Sequence, residues 1–159
     1  MMREILFRGK NGNEEWVQGD LLQNGYDYDF AILEKENKLV TAVIDETVGQ
    51  YTGLTDKNGN KIFEGDIVEI EHSIHHYRED EFPETYRPRR AHSWHWNDEQ
   101  KAFLYKRNYV VEWKRKDARW ILRNGSDQHD LRENCLYFKN GIIIGNIHDN
   151  PELLKGGER

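Results

Sequence analysis

Cysteine is nearly absent from this chain of 159 residues: Cys135 stands alone, so no internal disulfide can form and no multi-cysteine zinc site can be assembled. Nothing near it supplies an activating partner, so it reads as a small buried hydrophobe rather than a catalytic thiol. Long apolar runs are missing as well. The run Ile142 to Ile144 is far below the ~20 residues a spanning helix needs. Met1 to Arg8 lacks the apolar stretch of a signal peptide, which predicts a cytoplasmic location away from membranes. Positive charge is in short supply: 23 Lys and Arg face 29 Asp and Glu, and the net charge of -6 opposes general attraction to nucleic acid phosphates. A local basic patch could still bind them.

Several chemical signatures are absent too. Asp56, Asn58 and Asn60 open like a calcium loop, but Lys61 occupies the required glycine position and Ile67 the closing carboxylate position. A phosphate-cradling loop ending at Gly9-Lys10 would need a glycine where Glu4 stands and a Ser or Thr after the lysine. Neither a dinucleotide fingerprint nor a nucleophile elbow occurs. Asn124-Gly125-Ser126 matches a glycosylation sequon, yet its turn propensity explains it better. No catalytic, cofactor-binding or metal-ligating residue is assigned.

What the chain does have is aromatic bulk and β patterning. Five Trp, eight Tyr and six Phe supply core material in a sequence that is 33% charged, and the length suits one principal domain over 1–159. Glu4 to Phe7 and Glu15 to Leu22 predict a hairpin around Gly9 to Gly12. Tyr28, Phe30 and Ile32 alternate with Asp29 and Ala31 as in a half-buried strand, and Leu39 to Ile44 is rich in β-branched residues. Asp45-Glu46-Thr47 offers a capped helical turn, Asp56 to Gly59 a tight turn, and Gly65-Asp66 a second turn feeding the strand Ile67, Val68, Ile70. Tyr109, Val111 and Trp113 share a face and pair with Trp120 and Leu122 across a polar turn at Lys114 to Asp117. Leu131 to Phe138 is ambiguous between helix and strand, Gly141 to Ile147 reads as a strand, and Asn150-Pro151 as the start of a short helix. The fold expected is mostly β, an SH3-like barrel with additional antiparallel strands and short helical turns.

The pattern breaks between His72 and Gln100. These 29 residues are too many for a plain connection, so they read as a variable insertion with elements or a function of its own. Five of seven histidines fall there, at His72, His75, His76, His92 and His95, and on helices the two His-x-x-His spacings could converge on a metal. A solvated polar surface is the plainer explanation, because no metal signature is completed. Arg87, Arg89, Arg90, Trp94 and Trp96 interleave basic and aromatic side chains, and Lys114 and Arg115 add charge at the hairpin turn. These seven are the candidate contacts to nucleic acid or a protein partner.

Phe7-Arg8-Gly9-Lys10, Glu15-Trp16-Val17-Gln18-Gly19, Thr47 to Leu54, Ile62 to Val68 and Gly145 to Leu154 together resemble the YopX family, in order and spacing, across nearly the whole chain. The resemblance implies a phage or prophage product of the bacterial cytoplasm with a β-rich, SH3-like fold; it implies no reaction. The expected function is therefore a non-enzymatic accessory protein, a homo-oligomer that binds a host or phage macromolecule. A nucleic-acid-binding barrel and a metal-dependent enzyme using the insertion histidines are the alternatives.

Overall fold

A computed structural model describes residues 4–75, 93–131 and 140–155. They fall into two compact units, Met1–Thr55 with Lys61–Gly65 and Asp56–Asn60 with Asp66–Arg159. Both are antiparallel sheets, and among the described residues no helix is long and apolar enough to cross a membrane.

In the first unit, β1 (Phe7–Lys10) pairs with β2 (Trp16–Gln23), which continues onto β3 (Phe30–Leu33) and β4 (Val40–Ala42). On its other edge β1 meets β5 (Gly49–Thr55), which pairs with β6 (Lys61–Phe63). The β1–β2 turn forms because the Asn11 side-chain carbonyl accepts the backbone N–H groups of Asn13 and Glu15. Gly19 is required where β2 meets β3, since a Cβ there would run into the Leu33 carbonyl. The Asp45–Thr47 segment is one 3-10 turn, as its residues suggest, but Thr47 rather than Asp45 holds it. The Thr47 hydroxyl donates to the Ile44 carbonyl and accepts the Lys10 N–H, tying the turn to β1. Leu6, Tyr51 and Phe63 form one buried cluster of this unit.

The second unit is built on β9 (Ala102–Lys114), a strand of 13 residues. Along one edge, β7 (Asp66–Ile74) pairs with Phe103 to Val110. The opposite edge holds two strands in tandem: β8 (Ser93–Asn97) against Ala102 to Lys106, then β10 (Arg119–Asn124) against Val110 to Lys114. β11 (Asp127–Asp130) completes that side and β12 (Ile142–Asn146) lies on β7. A 3-10 turn at Pro151–Leu154 follows Asn150, with proline in its first positions.

Asp56–Asn60 belongs to the second unit through Asp56, which is almost fully buried. Its carboxylate accepts the backbone N–H groups of Asn58 and Asn60, the Asn60 side-chain amide and the Ile143 N–H at 2.8 to 3.1 Å. Burial alone would raise its pKa; the hydrogen bonds from Asn60, Ile143 and Asn58 outweigh that and leave it lowered. The turn expected from Asp-Lys-Asn-Gly is present, with Gly59 at φ 84°.

Neither sheet closes on itself: β4 and β6 bound the first, β11 and β12 the second. The mostly β expectation holds, while in place of a closed barrel the described strands form two open sheets. Among the described residues β4, β6, β11 and β12 each pair with one neighbour only, so no strand bridges the sheet edges.

The β9–β10 connection is a 3-10 turn, Arg115–Asp117, closed by Ala118 at φ 48° and ψ 48°. A Cβ makes this left-handed conformation costly, by about 1–2 kcal/mol, and glycine removes that cost while adding freedom to the unfolded chain. Ala118→Gly should therefore raise stability by about 0.5–1 kcal/mol, read as a higher urea midpoint at unchanged slope. An unchanged or lower midpoint would show that the turn carries no strain.

Candidate functional site

Strand alternation puts Phe103, Tyr105, Arg107, Tyr109, Val111 and Trp113 on one face of β9. Register then sets their neighbours. His72 of β7 and Trp94 of β8 flank Tyr105, Trp96 lies opposite Phe103, and Trp120 of β10 opposite Trp113. The result is an aromatic stripe along the strand, roughly 30 Å long at ~3.3 Å per residue.

At its centre the stripe is polar and buried. The His72 ring stacks on Tyr105 with centroids 5.0 Å apart, and its Nε2 shares a hydrogen bond of 2.9 Å with the Tyr109 hydroxyl. His129 meets Tyr109 edge-on at 5.5 Å. Arg107 lies over the Tyr105 ring and donates to Asp127 at 2.9 Å. Burial lowers the His72 pKa to about 4, helped by the charge of Arg107 and by His129, so the imidazole is neutral at pH 7. Burial likewise raises Tyr109, against the opposing effect of Arg107, and keeps its phenol protonated. These groups are committed to one another, and Tyr109 is wholly inaccessible. The arrangement suits holding β7, β9 and β11 together better than turning over a substrate.

The candidate residues divide between the ends of the stripe. Trp94 and Trp96 pack on Phe103 with centroids at 5.7 and 5.0 Å, half-buried, and Trp96 Nε1 donates to Asp98. Lys114 and Arg115 sit at the far end of β9, roughly 30 Å from Trp94. Arg87, Arg89 and Arg90 lie outside the described residues. Of the insertion histidines, His76 and His92 are also outside them. His72 belongs to the buried network, His75 bonds Ser73, and His95 alternates to the face opposite Trp94 and Trp96. The spacing argument for metal assumed helices, whereas His72 and His95 lie in strands. Among the described residues no group of three His, Cys, Asp or Glu is placed to hold a metal ion.

Two features escaped the sequence reading. Tyr105, Arg107, Asp127 and His129 were not candidates, although alternation already begins at Phe103. Trp113 shares a face with Tyr109 and Val111, yet unlike them it is 40% exposed, its ring at 65° to that of the buried Trp120 with centroids 5.0 Å apart. Around it the hairpin end concentrates charge. Asp117 is held by Lys114 at 2.7 Å and by Arg119 at 3.2 Å, and Arg119 also reaches Asp130. The Lys114 hydrogen bond is the main reason the Asp117 pKa is lowered. Arg115 and Lys116 are exposed and take part in no ion pair among the described residues.

The first unit has a cleft of about 400 Å³ walled by Leu6, Trp16, Val17, Glu34, Glu36 and Lys61. Beside it the Arg8 guanidinium lies between Trp16 and Phe63, 4.6 and 4.9 Å from their ring centres, and donates to the Glu64 carbonyl. The Phe-Arg-Gly-Lys and Glu-Trp-Val-Gln-Gly segments thus meet to pack a cation between rings, a contact that fixes structure.

Comparison with known proteins places this architecture. The family model described as YopX protein matches residues 6–155. The crystal structure of protein EF1440 from Enterococcus faecalis is similar in fold, with a TM-score of 0.51 at 23% identity over 96% of this chain and 99% of that one. No curated protein matches.

Proposed function

This chain belongs to the YopX family, and on that premise we propose that it is a non-enzymatic binding module of phage or prophage origin, which engages another macromolecule through its second sheet. One observation carries the reading: Trp113 stands 40% exposed at the β9–β10 hairpin end, beside the exposed cations Arg115 and Lys116. Exposed Trp and Arg side by side are the residue types that dominate macromolecular contacts. Further along the same face the polar network around His72 and Tyr109 is closed, with His72 neutral and Tyr109 inaccessible, which supports a scaffold role for that cluster.

A benzophenone-bearing phenylalanine at position 113, which keeps an aromatic ring there, tests this directly. Irradiated in bacterial extract, the protein should give a discrete adduct at 113 and none when the same group replaces the fully exposed Tyr26 of the first unit. Digestion with nuclease or protease then identifies the adduct's class. No adduct at 113, or equal labelling at 26, would overturn the proposal.

A further inference from the structure

Resting on the reading of the second sheet as a binding surface, we infer that the β9–β10 hairpin end contacts single-stranded nucleic acid, with Trp113 stacking on a base and Arg115 and Lys116 meeting the phosphates.

The net charge of -6 argued against such a partner when taken over the whole chain. Its distribution reverses that argument. Between residues 14 and 46, all within the first unit, nine carboxylates face two lysines, which more than accounts for the net charge. The hairpin end is the opposite: from Lys114 to Arg119 there are four cations and one carboxylate. That carboxylate, Asp117, is already shared between Lys114 and Arg119. Arg115 and Lys116 are left as the cations free to neutralise an anionic partner, since no acidic group among the described residues pairs with them.

Charge alone would fit any polyanion. Trp113 narrows the choice. Its edge contact with Trp120, at an interplanar angle of 65°, holds the ring, and Trp120 is itself buried at 7% exposure, so the orientation is set before any partner arrives. A rigid, 40% exposed indole next to cations offers what an unstacked base needs, a π surface with phosphate partners alongside. A run of Asp and Glu alone has no ring to place on it, and a duplex keeps its bases inside the stack. The short 3-10 turn at Arg115–Asp117 keeps both cations within three residues of the indole, so one or two nucleotides could engage all three side chains.

The test is fluorescence anisotropy with labelled 20-residue oligothymidylate and oligouridylate on the intact chain, with Trp emission read in parallel. Binding at low salt should quench Trp emission, and affinity should fall with salt by a logarithmic slope of about 0.7 for each phosphate contacted. Trp113→Ala should weaken binding about 5- to 150-fold, with Trp113→Phe recovering part of the loss through its remaining ring. Replacing Arg115 and Lys116 by glutamine should lower the salt slope by about 1.4 together. A thermal unfolding midpoint within a few degrees of the parent shows each variant to be folded.

No binding at low salt, binding indifferent to Trp113→Ala in a folded variant, or equal binding of a duplex or of polyglutamate would each overturn the inference. The broader reading fails separately: a cross-link from position 113 to a protein, with no oligonucleotide binding, would end the nucleic acid assignment alone, whereas absence of any adduct would end both.

Discussion

Acidification from pH 6.5 to pH 4 should remove about 3 kcal/mol of stability through His72 alone. The folded protein holds this imidazole neutral, with a pKa of about 4, while in the unfolded chain it titrates near 6.5. Above pH 6.5 both states are neutral and the group is silent. Between the two values the unfolded chain binds the proton that the folded one refuses, so stability declines as pH falls and levels off below about 4. Among the described residues the groups that face it work in that direction or are neutral. Tyr105 stacks on it, Tyr109 bonds it, Arg107 and His129 repel a positive charge, and Asp127 is engaged by Arg107. Urea unfolding at half-unit pH intervals should show the decline. His72→Gln, which keeps a partner for the Tyr109 hydroxyl but cannot titrate, should remove it. Parallel pH profiles for parent and variant would mean that His72 is hydrated in solution.

The second large effect is expected at Asp56. Its two oxygens receive four hydrogen bonds, three from the turn that follows and one from Ile143 of β12, 87 residues away. Asp56→Ala leaves those donors without an acceptor in a buried place, where each bond to a charged group is worth about 1.5–3 kcal/mol and the sum is less than additive. A loss of about 3–4 kcal/mol is expected. Asp56→Asn should lose roughly half of that, because one carboxylate oxygen becomes an amide that cannot accept. Both are measured as the unfolding free energy at pH 7. A loss below about 1 kcal/mol in the alanine variant would show that water replaces the carboxylate.

Most strands were legible because hydrophobic alternation and turn residues agree. The β9–β10 hairpin, the Asp56 turn and the short turn after Asn150 lie where Tyr109 to Leu122, Asp-Lys-Asn-Gly and Asn-Pro placed them. Three things were hidden. β11 reads Asp-Gln-His-Asp, with no apolar residue, and becomes a strand only because β10 offers it an edge. β8 and the end of β7 lay inside a stretch dominated by histidines and charges, where pairing with β9 supplies the order that composition conceals. The site was harder still. Arg107 and Asp127 are 20 residues apart and His72 and Tyr109 are 37 apart, so their meeting depends on register, which local pattern does not encode. The seven candidates were grouped by composition, while geometry sends Trp94 and Trp96 to one end of β9 and Lys114 and Arg115 to the other.

The tandem occupancy of one β9 edge gives the second sheet two separate zippers. β8 holds five residue pairs and two ring contacts with Phe103, and none of these involves β10. Between the two strands, Asn108 is bridged by a side chain, the Asn124 amide donating to its carbonyl at 2.7 Å. Release of β8 therefore breaks one zipper and stops at that bridge, leaving β7, β9 and β10 paired. Backbone amides of β8 would exchange with solvent through a partial opening, while those from Asn108 to Val111 wait for the whole sheet to come apart. Among the described residues β8 pairs with β9 alone, so an opening there would alter the aromatic end while leaving the charged hairpin at the other in place.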